Sequence, residues 1–162
     1  MKPTVVIDIG CRRYGNDYSI ERLIEKHKPV LLYGFDPNEQ DRTDEHEGTK
    51  IVVYRAAVWV HDGETSYVNP GTRGTITSGT GTPMLNVDTV VREIIAQHPD
   101  HDIVLKMDAE GSEYGILEHL IAEGSDKLVS LAWVEWHEPD RKPYRQWIEE
   151  RWQGGELVPW TW

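Results

Sequence analysis

Apolar positions along the chain fall into short blocks, and the spacing inside the blocks alternates between two periods. Thr4–Ile9 is a β-branched run ending in Asp8-Ile9-Gly10 and reads as a buried strand. Ile20, Leu23, Ile24 and His27 then recur at helical spacing, with Asp17 placed to cap that helix and Pro29 to stop it. Val30–Asp36 predicts a second strand, and Lys50–Val60, rich in Val, Ile, Tyr and Trp, a third. Between them, the polar and acidic stretch 37–49 predicts a turn or short helix. His61-Asp62-Gly63-Glu64 signals a turn, and Thr65–Val68 a short extra strand. Residues 69–83 carry four Gly and five Thr and predict a flexible loop, either a lid or a long insertion. Val87, Val90, Val91, Ile94 and Ile95 place a helix over Val87–Ala96, closed by Pro99. Asp102–Met107 reads as a fourth strand, Ser112–Glu123 as a helix stopped by Gly124, and Leu128–Trp136 as a fifth strand. From Pro139 the tail is polar and Trp-rich, a helix followed by a short extended piece.

Strands that alternate with helices predict one α/β domain over 1–162, a mostly parallel sheet with helices on both faces. In such sheets a ligand sits beyond the carboxyl ends of the strands, where the strand order reverses. Attention therefore goes to Asp8-Ile9-Gly10, Asp36-Pro37, Arg55-Ala56-Ala57, Asp108-Ala109-Glu110-Gly111 and Glu135-Trp136-His137.

Charge narrows the partners. Against 28 Asp and Glu stand 17 Lys and Arg, a net charge of −11. That balance argues against nucleic acid and against an anionic membrane surface. The single cysteine, Cys11, excludes an intramolecular disulfide and a multi-thiolate zinc site, and fits a reducing cytoplasm. No secretory leader or spanning run is expected. Seven Trp against one Phe suggest a Trp-lined groove, a core of large plates or a homo-oligomer contact.

Gly10 allows backbone to approach a ligand, and Gly15 opens the following helix, whose amino end favours a carboxylate or phosphate. The dinucleotide pattern G-x-G-x-x-G is absent, because Arg12 replaces its second glycine. An acid placed like Asp36 can accept both ribose hydroxyls of a nucleoside, although Asp36-Pro37-Asn38 also reads as a surface turn. Asp108 and Glu110, with Lys106 beside them, are expensive to desolvate and form a candidate general base; Glu110 and Glu113 equally suit a helix amino end. Strand alternation puts Glu135 and His137 on one side and Trp136 on the other, making His137 a second candidate base. Cys11 reads as a small loop residue, and Arg12 and Arg13 as either solvated or facing a carboxylate. His98-Pro99-Asp100-His101-Asp102 precedes a strand and reads as a solvated loop, so no metal is expected there.

These segments together resemble the FkbM family of S-adenosylmethionine-dependent methyltransferases, from about Val5 to His137. Leu105-Lys106-Met107-Asp108-Ala109-Glu110-Gly111-Ser112-Glu113 looks like that family's L-K-x-D-x-E-G-x-E signature. Val6-Ile7-Asp8-Ile9-Gly10, Tyr33-Gly34-Phe35-Asp36-Pro37-Asn38, Ala56-Ala57-Val58-Trp59 and Val134-Glu135-Trp136-His137 resemble its other segments. The family's first motif is usually G-x-x-x-G; here Tyr14 takes the fourth place after Gly10, and Gly15 follows. The resemblance implies a Rossmann-like class I methyltransferase three-layer sandwich with a shortened C-terminus. It implies S-adenosylmethionine as cofactor, with Asp8, Gly10 and Cys11 along the methionine part and Asp36-Pro37 at the ribose. Arg55, Ala56 and Ala57 would flank the adenine, and Asp108 would lie near the methyl group, with Glu110 and His137 as bases. The implied reaction is O-methylation of a hydroxyl on a small molecule or saccharide. A non-catalytic binding module on the same fold is the alternative, and a nucleotide-dependent oxidoreductase a more distant one.

Overall fold

The computed structural model describes residues 1–11, 19–68 and 75–161. Asp17, Tyr14, Gly15, Arg12, Arg13 and Trp162, and the first part of the Gly/Thr stretch, lie outside the described residues. The chain forms strands β1 (Thr4–Ile9), β2 (Leu31–Phe35), β3 (Arg42–His46), β4 (Thr49–Tyr54) and β5 (Ala57–Trp59). These are followed by β6 (Gly63–Val68), β7 (Thr75–Asn86), β8 (Asp102–Met107), β9 (Leu131–Val134) and β10 (Glu156–Pro159). Its helices are α1 (Ser19–His27), α2 (Val87–Gln97), α3 (Glu113–Glu123) and α4 (Lys142–Arg151).

Seven strands form one sheet in the order β10-β9-β8-β1-β2-β4-β3, all parallel except the antiparallel edge strand β3. Alternation divides each strand between two apolar layers. Val5 and Ile7 of β1 and Ile103 and Leu105 of β8 face a core with Val91 and Ile94 of α2, Ile116, Leu117 and Leu120 of α3 and Ile148 of α4. Val6 and Val104 face the opposite way, against Ile20, Leu23 and Ile24 of α1 and Trp160 of the tail. Helices therefore cover both faces of the sheet, in line with the α/β expectation. No helix among the described residues is long and apolar enough to cross a membrane.

Four segments differ from the sequence reading. The fifth strand, expected over Leu128–Trp136, is only Leu131–Val134; Leu128 closes a 3-10 helix from Ser125, and Glu135, Trp136 and His137 lie past the strand end. The stretch 37–49 forms neither a helix nor only a turn; its centre is β3, paired with β4 in the register Asp44 to Ile51. The run Lys50–Val60 breaks at Arg55-Ala56 into β4, in the main sheet, and β5, in a second sheet of order β5-β7-β6. The 69–83 stretch is not a loop throughout. From Thr75 it is strand, antiparallel to β6 and parallel to β5. Threonine suits a pleated surface, and partner strands on both sides supply the hydrogen bonds that composition does not reveal. Asn86 ends β7 and caps α2, its side chain accepting from Asp88 N at 2.9 Å.

Candidate active site

Strand order reverses at β1: the chain runs outward through β2 and β4 on one side and through β8, β9 and β10 on the other. The residues just past the central strands are tied to their neighbours. Asp36 N donates to Tyr54 O (3.2 Å), Gly10 N to Phe35 O (2.8 Å), Asp108 N to Ile9 O and Glu135 N to Met107 O (both 2.9 Å). Asp36, Gly10, Asp108 and Glu135 thus stand in one row along the carboxyl edge. Gly10 holds φ +77°, and a Cβ there would lie 1.8 Å from the Asp108 carbonyl oxygen, so both backbone shape and space demand glycine.

Asp8 and Lys106 are opposite one another in the β1–β8 register, and both are fully buried. Lys106 Nζ lies 3.2 Å from Asp8 Oδ1 and 3.8 Å from Asp108 Oδ2, and donates to Gly10 O at 3.3 Å. Ser19 Oγ, at the start of α1, donates to Asp8 Oδ2 at 2.7 Å. Burial alone would pull the Lys106 ammonium down, but Asp8 and then Asp108 outweigh it and hold it above its ordinary value.

His137 is the centre of the second group. Its Nδ1 lies 3.2 Å from Glu113 Oε1, which also accepts from His137 N at 2.7 Å. Glu113 Oε2 accepts from Gly111 N at 2.8 Å. Tyr114 Oη donates to the His137 carbonyl at 2.6 Å. The far ring nitrogen, Nε2, faces Asp108 Oδ1 (3.6 Å), Glu110 Oε2 (3.7 Å) and Glu135 Oε1 (3.9 Å). The Glu113 hydrogen bond, against the pull of burial, raises His137 to about 9. Burial pushes Asp108 up to about 7, with Lys106 opposing and Glu135 adding. Burial also pushes Glu113 up, but the hydrogen bonds from His137 leave its carboxyl lower than usual. At neutral pH the His137 imidazole is therefore a cation among carboxylates. Glu110 takes a left-handed φ of +49°, a local strain at the same turn.

The structure thus brings together Asp8, Gly10, Asp108, Glu110 and His137 from the sequence-level set. Asp36 ends β2 beside them, 8% exposed, its Oδ1 accepting from Asn38 N at 2.7 Å, with Pro37 half-buried. Ala56 and Ala57 are buried where β4 gives way to β5. Two expected residues differ. The Cys11 thiol is buried against Gly34 in the α1-side core, so only its backbone borders the glycine turn; burial, then Asp8, raises the thiol well above its usual value. Arg55 is exposed, and its backbone N donates to Asp41 Oδ1 at 2.7 Å. Sequence reasoning missed the roles of Glu113 and Tyr114 in holding His137. The signal was available in part, since helical spacing puts both on the first turn of α3.

Asp108, Glu110 and His137 each offer one donor atom, and the three atoms lie within 4.8 Å of one another. Compared with family models, curated proteins and solved structures, the chain gives no match in any of the three.

Proposed function

We propose that the protein is an S-adenosylmethionine-dependent methyltransferase of the Rossmann-like class, acting on a hydroxyl oxygen of a small molecule or saccharide. The observation that carries this reading is the row of Asp36, Gly10 and Asp108 at the point where strand order reverses. The residues fit the cofactor. An acid ends β2 for the ribose hydroxyls, and a left-handed glycine ends β1 where a ligand must approach backbone. Tyr54, 40% exposed and stacked on Phe35 at 5.2 Å, adds a flat surface at the same edge for a base.

The bound cofactor supplies an already activated methyl group. What remains for the chain is alignment, which contributes on the order of 7–11 kcal/mol when reacting atoms are held in line. Asp108, Glu110 and His137 would line the end where the acceptor hydroxyl enters; its proton would pass to a carboxylate, Asp108 or Glu110, because the His137 ring, raised to about 9, already holds its own. Lys106, held by Asp8, fixes Asp108 from behind.

Calorimetric titration with S-adenosylhomocysteine tests the reading, with NAD as control. Micromolar binding of the former alone is expected, and Asp36→Ala should weaken it about 10–100-fold, the worth of hydrogen bonds to a charged group. An unchanged dissociation constant in Asp36→Ala with the fold retained removes the ribose assignment. No binding at millimolar ligand favours the non-catalytic module.

A further inference from the structure

The convergence of Asp108, Glu110 and His137 is more specific than an acidic surface. An imidazole nitrogen is one of the three donors, and the donors come from different segments, the ends of β8 and β9. Nε2 stands 3.6 Å from Asp108 Oδ1 and 3.7 Å from Glu110 Oε2. Cis ligands of an octahedral ion, at bonds of about 2.1–2.2 Å, stand roughly 3.0 Å apart, so these two separations need to close by about 0.6–0.7 Å, a side-chain rotation, and the third donor pair lies within 4.8 Å.

Surrounding residues orient the donors in the way metal ligands are oriented. Glu113, fully buried, takes the Nδ1 side of the ring, so Nε2 faces the carboxylates, and a bound ion would displace the Nε2 proton of the otherwise cationic ring to reach its lone pair. Lys106 takes the other oxygen of Asp108, leaving Oδ1 toward the ring. The three donor side chains keep 12%, 27% and 21% of their surface exposed, so further coordination positions open toward solvent. One imidazole with two carboxylates suits a first-row divalent ion better than Ca²⁺, which prefers an all-oxygen shell.

We propose that Asp108, Glu110 and His137 bind a divalent first-row metal ion of the Mn²⁺ type, with open positions that receive the acceptor oxygen. The second half rests on the methyl-transfer reading; the binding itself does not.

The test uses the full chain after chelator treatment, titrated with MnCl₂ and followed by calorimetry and by electron paramagnetic resonance, without cofactor. One saturable equivalent is expected, with pulsed resonance showing nitrogen coupling from an imidazole. Glu110→Gln, on the exposed side of the turn, should weaken binding at least tenfold, His137→Gln should abolish the nitrogen coupling, and Glu149→Gln on α4 should change neither. Absence of saturable binding overturns the proposal. So does binding that Glu110→Gln and Glu149→Gln leave equally unchanged, the behaviour of a diffuse acidic surface. A parallel titration with S-adenosylhomocysteine separates the two readings. Homocysteine-nucleoside binding without Mn²⁺ binding overturns the metal site alone, and the converse overturns the cofactor.

Discussion

A lysine with no exposed surface is stable as a cation only if its partners outweigh its lost hydration. Lys106 meets this condition through Asp8, Asp108 and the Gly10 carbonyl. Lys106→Met should leave Asp8 buried and uncompensated and cost about 3–5 kcal/mol in urea unfolding. The double variant Asp8→Asn/Lys106→Met should recover much of that loss. An additive double variant would show that the two do not act as a pair. Gly10→Ala should cost about 2–4 kcal/mol in the same measurement, because the left-handed backbone and the Asp108 carbonyl both oppose a Cβ. Much of this was legible in the sequence. Asp8 ends one strand, Lys106 and Asp108 share a face of another, and a parallel sheet brings those ends together. The register that sets Asp8 directly across from Lys106 was not legible, because strand pairing is a tertiary fact. For the same reason the sequence placed Cys11 in the site, whereas its thiol fills the space that a glycine leaves on β2.

At the scale of elements, hydrophobic period located the central strands β1, β2, β4, β8 and β9 and the helices α1, α2 and α3, whose apolar residues face the two main layers. It missed β3, whose Arg-Thr-Asp-Glu-His sequence has no apolar face because the strand lies at the sheet edge. It also missed β7, whose Thr and Gly residues are held by partners on both sides. The β7–α2 junction depends on Asn86, which caps the helix and donates to Val60 O at 3.2 Å. Asn86→Ala should therefore lower stability by about 1–2 kcal/mol, read as a shifted urea midpoint. Across the other face, α1 is joined to β9 by Trp133 Nε1, which donates to His27 Nε2 at 3.0 Å. The ring must be neutral to accept, and burial, then Lys26, lower its pKa below the ordinary value. Below about pH 6.5 the unfolded chain then binds the proton more readily than the folded one. This contribution is complete above about pH 6.5 and is lost as pH falls toward the lower folded value. His27→Gln keeps an acceptor but no titration, so its urea midpoint should fall less than that of the parent chain between about pH 7.5 and about pH 5. Equal falls would mean that His27 has no part in the acid sensitivity.

For the whole molecule, the tail is what ties the sheet edge to the charged centre. The tail adds β10 in parallel register to β9, and Trp160 N then donates to Val134 O at 2.8 Å. This turns the Trp160 ring into the α1-side core, where it is 6% exposed and meets Trp133 edge to face at 5.8 Å. The guanidinium of Arg22 lies over the ring at 4.8 Å from its centre, and the Lys106 ammonium stands 6.0 Å away. The Trp-rich composition was visible from the start, but whether those rings formed a groove, a core or a contact was not. For Trp160 it is core. Its loss opens a cavity and admits water to the side of the buried Lys106–Asp8 pair, two effects that both lower stability. Trp160→Ala should cost about 3–5 kcal/mol, and Trp160→Phe, which keeps a ring against Trp133, distinctly less. Guanidinium unfolding followed together by fluorescence and circular dichroism checks this. In the parent chain the two transitions should coincide, because the tail and the sheet share one core. If Trp160→Ala costs less than about 1 kcal/mol and the transitions separate, the tail is an appendage and the charged centre does not depend on it.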